Sequence, residues 1–387
     1  MWLSGTLWHI SRWIAAFLGA FVINDLTDSP RLVQLTGTTL WGPLLIGGIV
    51  GGVIADRFDR RKTLLTMLGA IIPGAVLLSV LAATDRLVAW MIFPFLVLVG
   101  IGWVGDMTSR RTMVFDLVGE RHLDNAMALE GMSLAFGMTI GNMVGGSVIE
   151  FAGVSAAYAG MAGLVTIAFV LLWRVPPSKP KVEAGIDLRS AVSDLVAGVK
   201  LVRGYPVMVS VLGVTVIANA FLFSYFPIVQ RLGDRMDVNA ALIGLLAGTS
   251  GLGMLTGSYL VARLKPRRRG LAYVGGTMAT ALLLIPFALT AWYPGAVLFL
   301  YLASIGAGFF ASTQSVLVMV AVPEEVRGRA LGLLSMSIGA LPVGMLALGE
   351  LAEAIGAPLS VAISSGTGAV LLVLWQWRHP AAIRQTS

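Results

Sequence analysis

The chain has 387 residues, 57% of them hydrophobic and 12% charged, with a mean hydropathy of +0.86. Soluble domains carry about 25% charged residues, so this composition excludes a string of soluble domains and makes lipid the solvent for most of the chain. The formal charge of +7 sits in loops between apolar runs, which fits the positive-inside rule and not a nucleic-acid surface; the absence of Cys excludes disulfide frameworks, thiolate metal sites and thiol nucleophiles.

Apolar runs of roughly 20 residues, the length that crosses a bilayer, recur twelve times. In the first half they fall at 2–24, 35–55, 63–83, 87–107, 124–149 and 154–173. In the second they fall at 206–230, 239–263, 270–290, 294–319, 329–351 and 357–377. The first run starts at Trp2 without a basic leader, so it reads as a retained span and not a cleaved signal. The predicted organisation is all-α: a six-helix half over 1–173, a polar linker over 174–205, and a second six-helix half with a short tail over 206–387.

Of the 27 Lys and Arg, only Arg31, Arg86, Arg231 and Arg235 occupy one set of alternate loops; Arg12 lies inside the first span, and the rest fall on the other side. That asymmetry places both termini in the cytoplasm. In the linker, Leu188, Val192, Leu195, Val199 and Val202 recur at alternating steps of four and three, the stripe of an amphipathic helix lying on the inner membrane surface. The halves echo each other: at an offset of 204, Val118–Gly146 aligns without gaps to Val322–Glu350, with identities that include Ala126/Ala330, Ser133/Ser337 and Gly145/Gly349.

Between the second and third runs lies Gly52-Val53-Ile54-Ala55-Asp56-Arg57-Phe58-Asp59-Arg60-Arg61-Lys62. This stretch resembles the G-x-x-x-D-R-x-G-R-R-K loop of major facilitator superfamily transporters, with Asp59 in place of the usual Gly. Its D-R-F-D-R-R form is similar to the efflux branch that includes macrolide and enterobactin exporters. The resemblance implies twelve transmembrane helices in two halves around a central cavity, and a gating latch built from Gly52, Asp56, Arg57, Asp59, Arg60, Arg61 and Asp106. In that latch Asp56 caps the start of helix 11 and Arg60 pairs with Asp106. A local pair of Asp106 with Arg110, one helical turn on, is the alternative, and Asp59 has two readings, competing for Arg60 or bonding its own turn. In helix 5, Gly137-Met138-Thr139-Ile140-Gly141-Asn142-Met143-Val144-Gly145-Gly146 resembles the exporter motif G-x-x-x-G-P-x-x-G-G, with Asn142 where Pro is expected. The glycines alone also read as ordinary close packing.

Ionisable residues inside spans are expensive and face protein or water. Glu130 shares a helix face with Ser133, Gly137 and Gly141, so it is expected to face another helix. Arg12 lies about ten residues into the first span, roughly 15 Å along its axis. These two, with Asp25 at the outer end of helix 1, are the proton-coupling candidates; a structural hydrogen bond for Glu130 and snorkelling for Arg12 are the alternatives. The resemblance assigns the cavity lining to helices 1, 4, 7 and 10. The candidates there, with Asn142 of helix 5, are Trp8, His9, Asn219, Phe223, Phe226, Gln230, Tyr301, Ser304 and Ser312, whose aromatic faces with isolated polar groups suit an amphipathic organic substrate.

No Walker-type G-x-x-x-x-G-K-[ST] occurs, so ATP hydrolysis by the chain is not expected, and the three His show no paired ligand spacing. The expectation is a secondary active exporter without catalytic residues, cofactor or metal. Its partners are the bilayer, a small-molecule substrate and protons, with no nucleic acid, and a monomer suffices. An importer or lipid-flipping member of the same fold is the nearest alternative, and a polytopic membrane enzyme a remote one.

Overall fold

The computed structural model describes residues 1–45, 59–119, 122–176, 204–323 and 326–384. Among the described residues helix follows helix. The first elements are α1 (Trp2–Thr27), α2 (Pro30–Trp41), α3 (Arg60–Ala83), α4 (Ile92–Val118) and α5 (Leu123–Trp173). After the linker come α6 (Pro206–Ile217), α7 (Val229–Asp234), α8 (Ala240–Leu264), α9 (Arg269–Leu289), α10 (Tyr293–Ala321), α11 (Arg327–Ile338), α12 (Ala340–Ile355), α13 (Ala357–Arg378) and α14 (Ala381–Arg384). Among the described residues ten helical stretches are long and apolar enough to cross a bilayer. One of them, Leu129–Trp173, has 45 residues, about 68 Å at 1.5 Å per residue. It holds two predicted spans, broken at Gly153, whose φ of 84° lies in the region that side chains disfavour. This is a multi-pass membrane protein. The latch residues Gly52, Asp56 and Arg57, the inner end of the second span and the linker stripe Leu188–Val202 lie outside the described residues.

The chain divides into two units. One gathers α1 to α5 with Pro227–Gly248; the other gathers the segment that ends at Phe226 with Thr249 onward. The end of the seventh span and the start of the eighth group with the first unit.

The seventh span departs from its predicted regular helix. Between α6 and α7, Ala218–Leu222 forms a π-turn and Phe223–Ile228 a 3₁₀ turn. Pro227 lacks the N–H that a continuing α-helix needs and crowds the preceding turn. The expected common face of Asn219, Phe223, Phe226 and Gln230 assumed a 3.6 period that fails here. The first three belong to the second unit and Gln230 to the first.

In the first unit α1 packs along α5 at small residues. A Cβ on Gly137 would stand 2.6 Å from the Cβ of His9, and one on Gly141 2.6 Å from the carbonyl oxygen of Ile10. Glycine lets the helix backbones meet this closely. Gly141→Val should lower stability by about 1–3 kcal/mol through overpacking, read as a lower unfolding temperature of the detergent-purified protein. Unfolding at the parent temperature would mean that α1 and α5 separate without cost.

The two halves of the sequence carry matching punctuation. Gly356, between α12 and α13, has the same φ of 84° as Gly153, and Glu150-Phe151-Ala152-Gly153 recurs as Glu353-Ala354-Ile355-Gly356. Asp28 after the first span and Asp237 after the seventh both adopt left-handed conformations, φ 53° and 54°, which short polar side chains tolerate.

Candidate functional site

The polar core of the first unit lies where α1, α4 and α5 meet. Small residues on α5 bring α1 close, and α1 presents His9 and Arg12 to the side chains that α4 and α5 point inward. The imidazole Nε2 of His9 lies 3.3 Å from Glu130 Oε1 and 4.0 Å from Asp106 Oδ2. Arg110 Nε donates to Asp106 Oδ1 at 2.6 Å. All four side chains are buried, as is Arg12. Ser133, one turn from Glu130, shares a hydrogen bond of 2.9 Å with Thr6, so this face of α5 is turned to α1.

Of the two coupling candidates on α1 and α5, Glu130 has the His9 imidazole against its carboxylate. Arg12 stacks its guanidinium over Trp103 at 4.0 Å, with Trp13 at 5.2 Å and Trp41 at 5.8 Å. The snorkelling alternative for Arg12 does not hold, since only 3% of the residue is exposed. Asp106 takes the local pairing with Arg110 at i and i+4. His9 Nε2 as the N–H tautomer donates to Glu130; this leaves Nδ1 buried without a partner, a bare acceptor and not a stranded donor.

The visible part of the loop motif has a definite local role. Asp59 is the N-cap of α3, its Oδ1 accepting the Lys62 N–H at 2.9 Å. Its φ is −56°, so no left-handed residue is required where the family has Gly. Of its two readings the structure shows the bond to its own turn. Arg60 is buried in the first turn of α3, and Arg61 donates to the carbonyl of Trp173 at the end of α5.

The remaining candidates are placed as follows. Trp8 is buried near Gly102 of α4, and Asp25 is exposed at the end of α1. Asn142 donates to the carbonyl of Met138 in its own helix at 2.7 Å and Asn219 to that of Thr215 at 2.9 Å, so both amides are spent on backbone. Gln230 is buried. In the second unit, Tyr301 bonds Thr256 at 2.9 Å, Ser312 donates to Ser258 at 2.8 Å, and Ser304 stands against Gly253. That face of α10 packs on α8. Phe223, Phe226 and Ser304 also line a narrow cleft with Tyr225 and Ser250, with room for little more than a water molecule.

Among the described residues the buried polar groups of the second unit carry no charged side chain. Gln314 donates to Thr215 Oγ1 at 2.8 Å, and Thr215 shares a bond of 2.9 Å with the Tyr273 hydroxyl.

Sequence reasoning missed a further cluster in the first unit. Glu150, at the α5 kink, accepts the Ala240 N–H at 3.1 Å, so a carboxylate sits at the positive end of α8. Nearby, Arg231 pairs with Asp28, and Asn24 donates to Asp234 at 2.6 Å. A Cβ on Gly146 would stand 2.8 Å from the Cα of Gly244, which brings α8 against α5. The signal available was the repeated Glu-x-x-Gly at the close of the fifth and eleventh spans. Losing a capping carboxylate costs about 0.5–2 kcal/mol. Glu150→Ala should therefore speed labelling of a cysteine placed at Val238, in a chain that has no other; an unchanged rate would show that the cap does not hold α8 in place.

A membrane protein whose helices repeat in two sets, with a charged core in one, belongs to a known class. The Major Facilitator Superfamily model matches residues 1–342, and the chain belongs to that superfamily of transporters. Among curated relatives it is 29% identical over 376 residues to the enterobactin exporter EntS of Salmonella typhimurium, covering 91% of this chain and 84% of the relative. It is 28% identical over 386 residues to that of Escherichia coli K12, covering 94% and 88%. Among solved structures it is similar to a D-xylose–proton symporter, with a TM-score of 0.77 at 14% identity over 100% of this chain and 99% of that one. It is also similar to a bacterial homologue of the human lysosomal transporter Spinster, inward-facing and unoccupied, with a TM-score of 0.71 at 16% identity over 99% and 95%.

Proposed function

We propose that the chain is a secondary active exporter. It moves small amphipathic or hydrophobic organic molecules out across the cytoplasmic membrane by alternating access, takes up protons in exchange, and works as a monomer with both termini in the cytoplasm. The observation that carries the coupling is the buried His9–Glu130 contact beside Asp106. Ionisable groups are retained in a membrane at a cost, and a carboxylate facing an imidazole is a group that can load and release a proton as its surroundings change. Glu130 is the loading carboxylate, and His9 Nε2 is held against it at 3.3 Å. Asp106 is tied to Arg110. The direction rests on the relatives named as exporters, which align with nine-tenths of this chain. In the family arrangement Asp56 would cap helix 11 on the cytoplasmic side, as Glu150 caps α8.

The experiment is reconstitution in liposomes with an imposed pH gradient, screened against dyes, macrolides and siderophores, enterobactin first. Accumulation against a substrate gradient, abolished by a protonophore, is the expected result. Movement of substrate in the same direction as the protons would make the chain an importer, and gradient-independent flux would remove the coupling.

A further inference from the structure

One end of the second unit gathers positive charge without countercharge. Residues 263–269, between α8 and α9, carry five Lys and Arg in seven positions. The end of the chain then returns to the same place. α14 packs on α9, and a Cβ on Gly270 would collide with the carbonyl oxygen of Ala382, which is itself buried. Ser210 of α6 fixes this return: its hydroxyl donates to the carbonyl of His379 at 2.7 Å, and its own carbonyl accepts from Trp375 Nε1 at 3.1 Å. Arg378 and Arg384 are thereby added to the cations of the loop. Arg263, Lys265, Arg268, Arg269, Arg378 and Arg384 are all exposed, and among the described residues none of the six has a carboxylate partner. The side-chain carboxylates described in this unit are Glu350 and Glu353, near the far end of α12. By contrast, the loop between the second and third spans interleaves Asp56 and Asp59 with its four cations. Positive-inside placement accounts for the sign of both loops, but not for the exclusion of acids from one of them.

Apolar surface borders the charge on both spans that end here. On α8, Leu264 is 64% exposed and directly precedes Lys265; on α13, Trp377 is 82% exposed and directly precedes Arg378. Val373 and Leu374, a turn earlier on α13, are exposed as well. Exposed apolar side chains thus give way to cations in a single step of the chain, as at the boundary between acyl chains and headgroups. We infer that this end of the second unit is a docking surface for anionic phospholipid, with phosphates on the arginine forks and acyl chains along the Leu264 and Trp377 borders. A guanidinium meets a phosphate with two parallel N–H bonds, and each cation near an anionic leaflet adds to the attraction. The headgroups supply the countercharge that this end of the unit lacks. A nucleic acid or an acidic protein matches the charges but has no use for the apolar border. The surface faces the cytoplasmic leaflet in the orientation proposed above, but the lipid preference it asserts does not depend on export.

The test is retention of radiolabelled lipid by the full chain, immobilised in dodecyl maltoside micelles that hold equal amounts of dioleoylphosphatidylglycerol and dioleoylphosphatidylcholine. Phosphatidylglycerol should be retained at least about fivefold better. The preference should fall to within about twofold in 1 M salt, where the screening length is about 3 Å. Arg268→Gln with Arg269→Gln, and separately Arg378→Gln with Arg384→Gln, should each weaken it about two- to fivefold. The same pairs changed to Lys keep the charge and lose the fork, and should lie between the Gln variants and the parent. Arg235→Gln, at an exposed cation of the first unit, should change nothing. If the pair on α9 does not fold, the tail pair and the salt series decide. Equal retention of the two lipids, or a preference that survives both Gln pairs, overturns the proposal. Glycerol 3-phosphate in large excess should leave the lipid in place; displacement by it would make this a site for a free phosphoryl group. Displacement by polyglutamate, which has the charge and no apolar part, would assign the surface to an acidic protein, and either displacement overturns the lipid assignment.

Discussion

Glu130→Gln is expected to abolish gradient-driven accumulation while leaving substrate binding and downhill exchange within about twofold of the parent, because the amide keeps the shape and hydrogen bonding of the side chain and loses only its exchangeable proton. Glu130 is buried against His9, so the amide can still bond the imidazole and the bundle need not rearrange. Each ligand of a two-state transporter shifts the equilibrium only by its preference for one state, and an unprotonatable side chain removes the proton's preference altogether. His9→Gln should act in the same direction but incompletely, shifting the pH profile of transport and not erasing it. The measurement is uptake into inverted vesicles with and without a protonophore. Uphill transport by Glu130→Gln at the parent rate would make Glu130 a packing contact for His9, and Asp25 the next carboxylate to change.

The largest expected effect on stability is at Asp106. Its carboxylate holds Arg110 at 2.6 Å in a buried setting. Asp106→Asn leaves two guanidiniums in the bundle with one countercharge fewer. Breaking a buried pair from one side costs about 3–5 kcal/mol, far more than the pair itself contributes over a neutral replacement. The double variant Asp106→Asn with Arg110→Gln should recover most of the loss. Denaturant unfolding of both in the same detergent decides it; a single variant within about 0.5 kcal/mol of the parent, the range of ordinary surface changes, would show that the charge is solvated.

The fold was legible because length and apolarity are local properties of a span. Twelve runs could be counted by eye, and the kink at Gly153 falls between two of them. The burial of Glu130 could be read from its companions Ser133, Gly137 and Gly141 on one helix face. Its partner could not. Periodicity places His9 and Arg12 three residues apart on α1, near enough in angle that either can face α5; the choice is made by three indoles, from α1, α2 and α4, which converge on Arg12 only in three dimensions. The seventh span was misread for a different reason. A 3.6 period was carried through Pro227, although the residue itself signals that the helix cannot continue. On α10 the Ser and Gly face suggested a cavity wall; Ser304 lines a narrow cleft, and the same face, at Ser304 and Gly308, also approaches α8 closely.

The neutrality of the second unit's core sets a count. Thr215, Tyr273 and Gln314 present hydroxyl and amide groups, which neither gain nor lose protons near neutral pH. The first unit holds its exchangeable groups in one cluster, and Asp106 there is committed to Arg110. The repeat that duplicated the glycine turns and the left-handed Asp therefore did not leave a duplicated proton store. On the coupling proposed above, the described core residues offer one loading event per cycle, at the His9–Glu130 contact, and the exchange ratio that reading predicts is one proton per turnover.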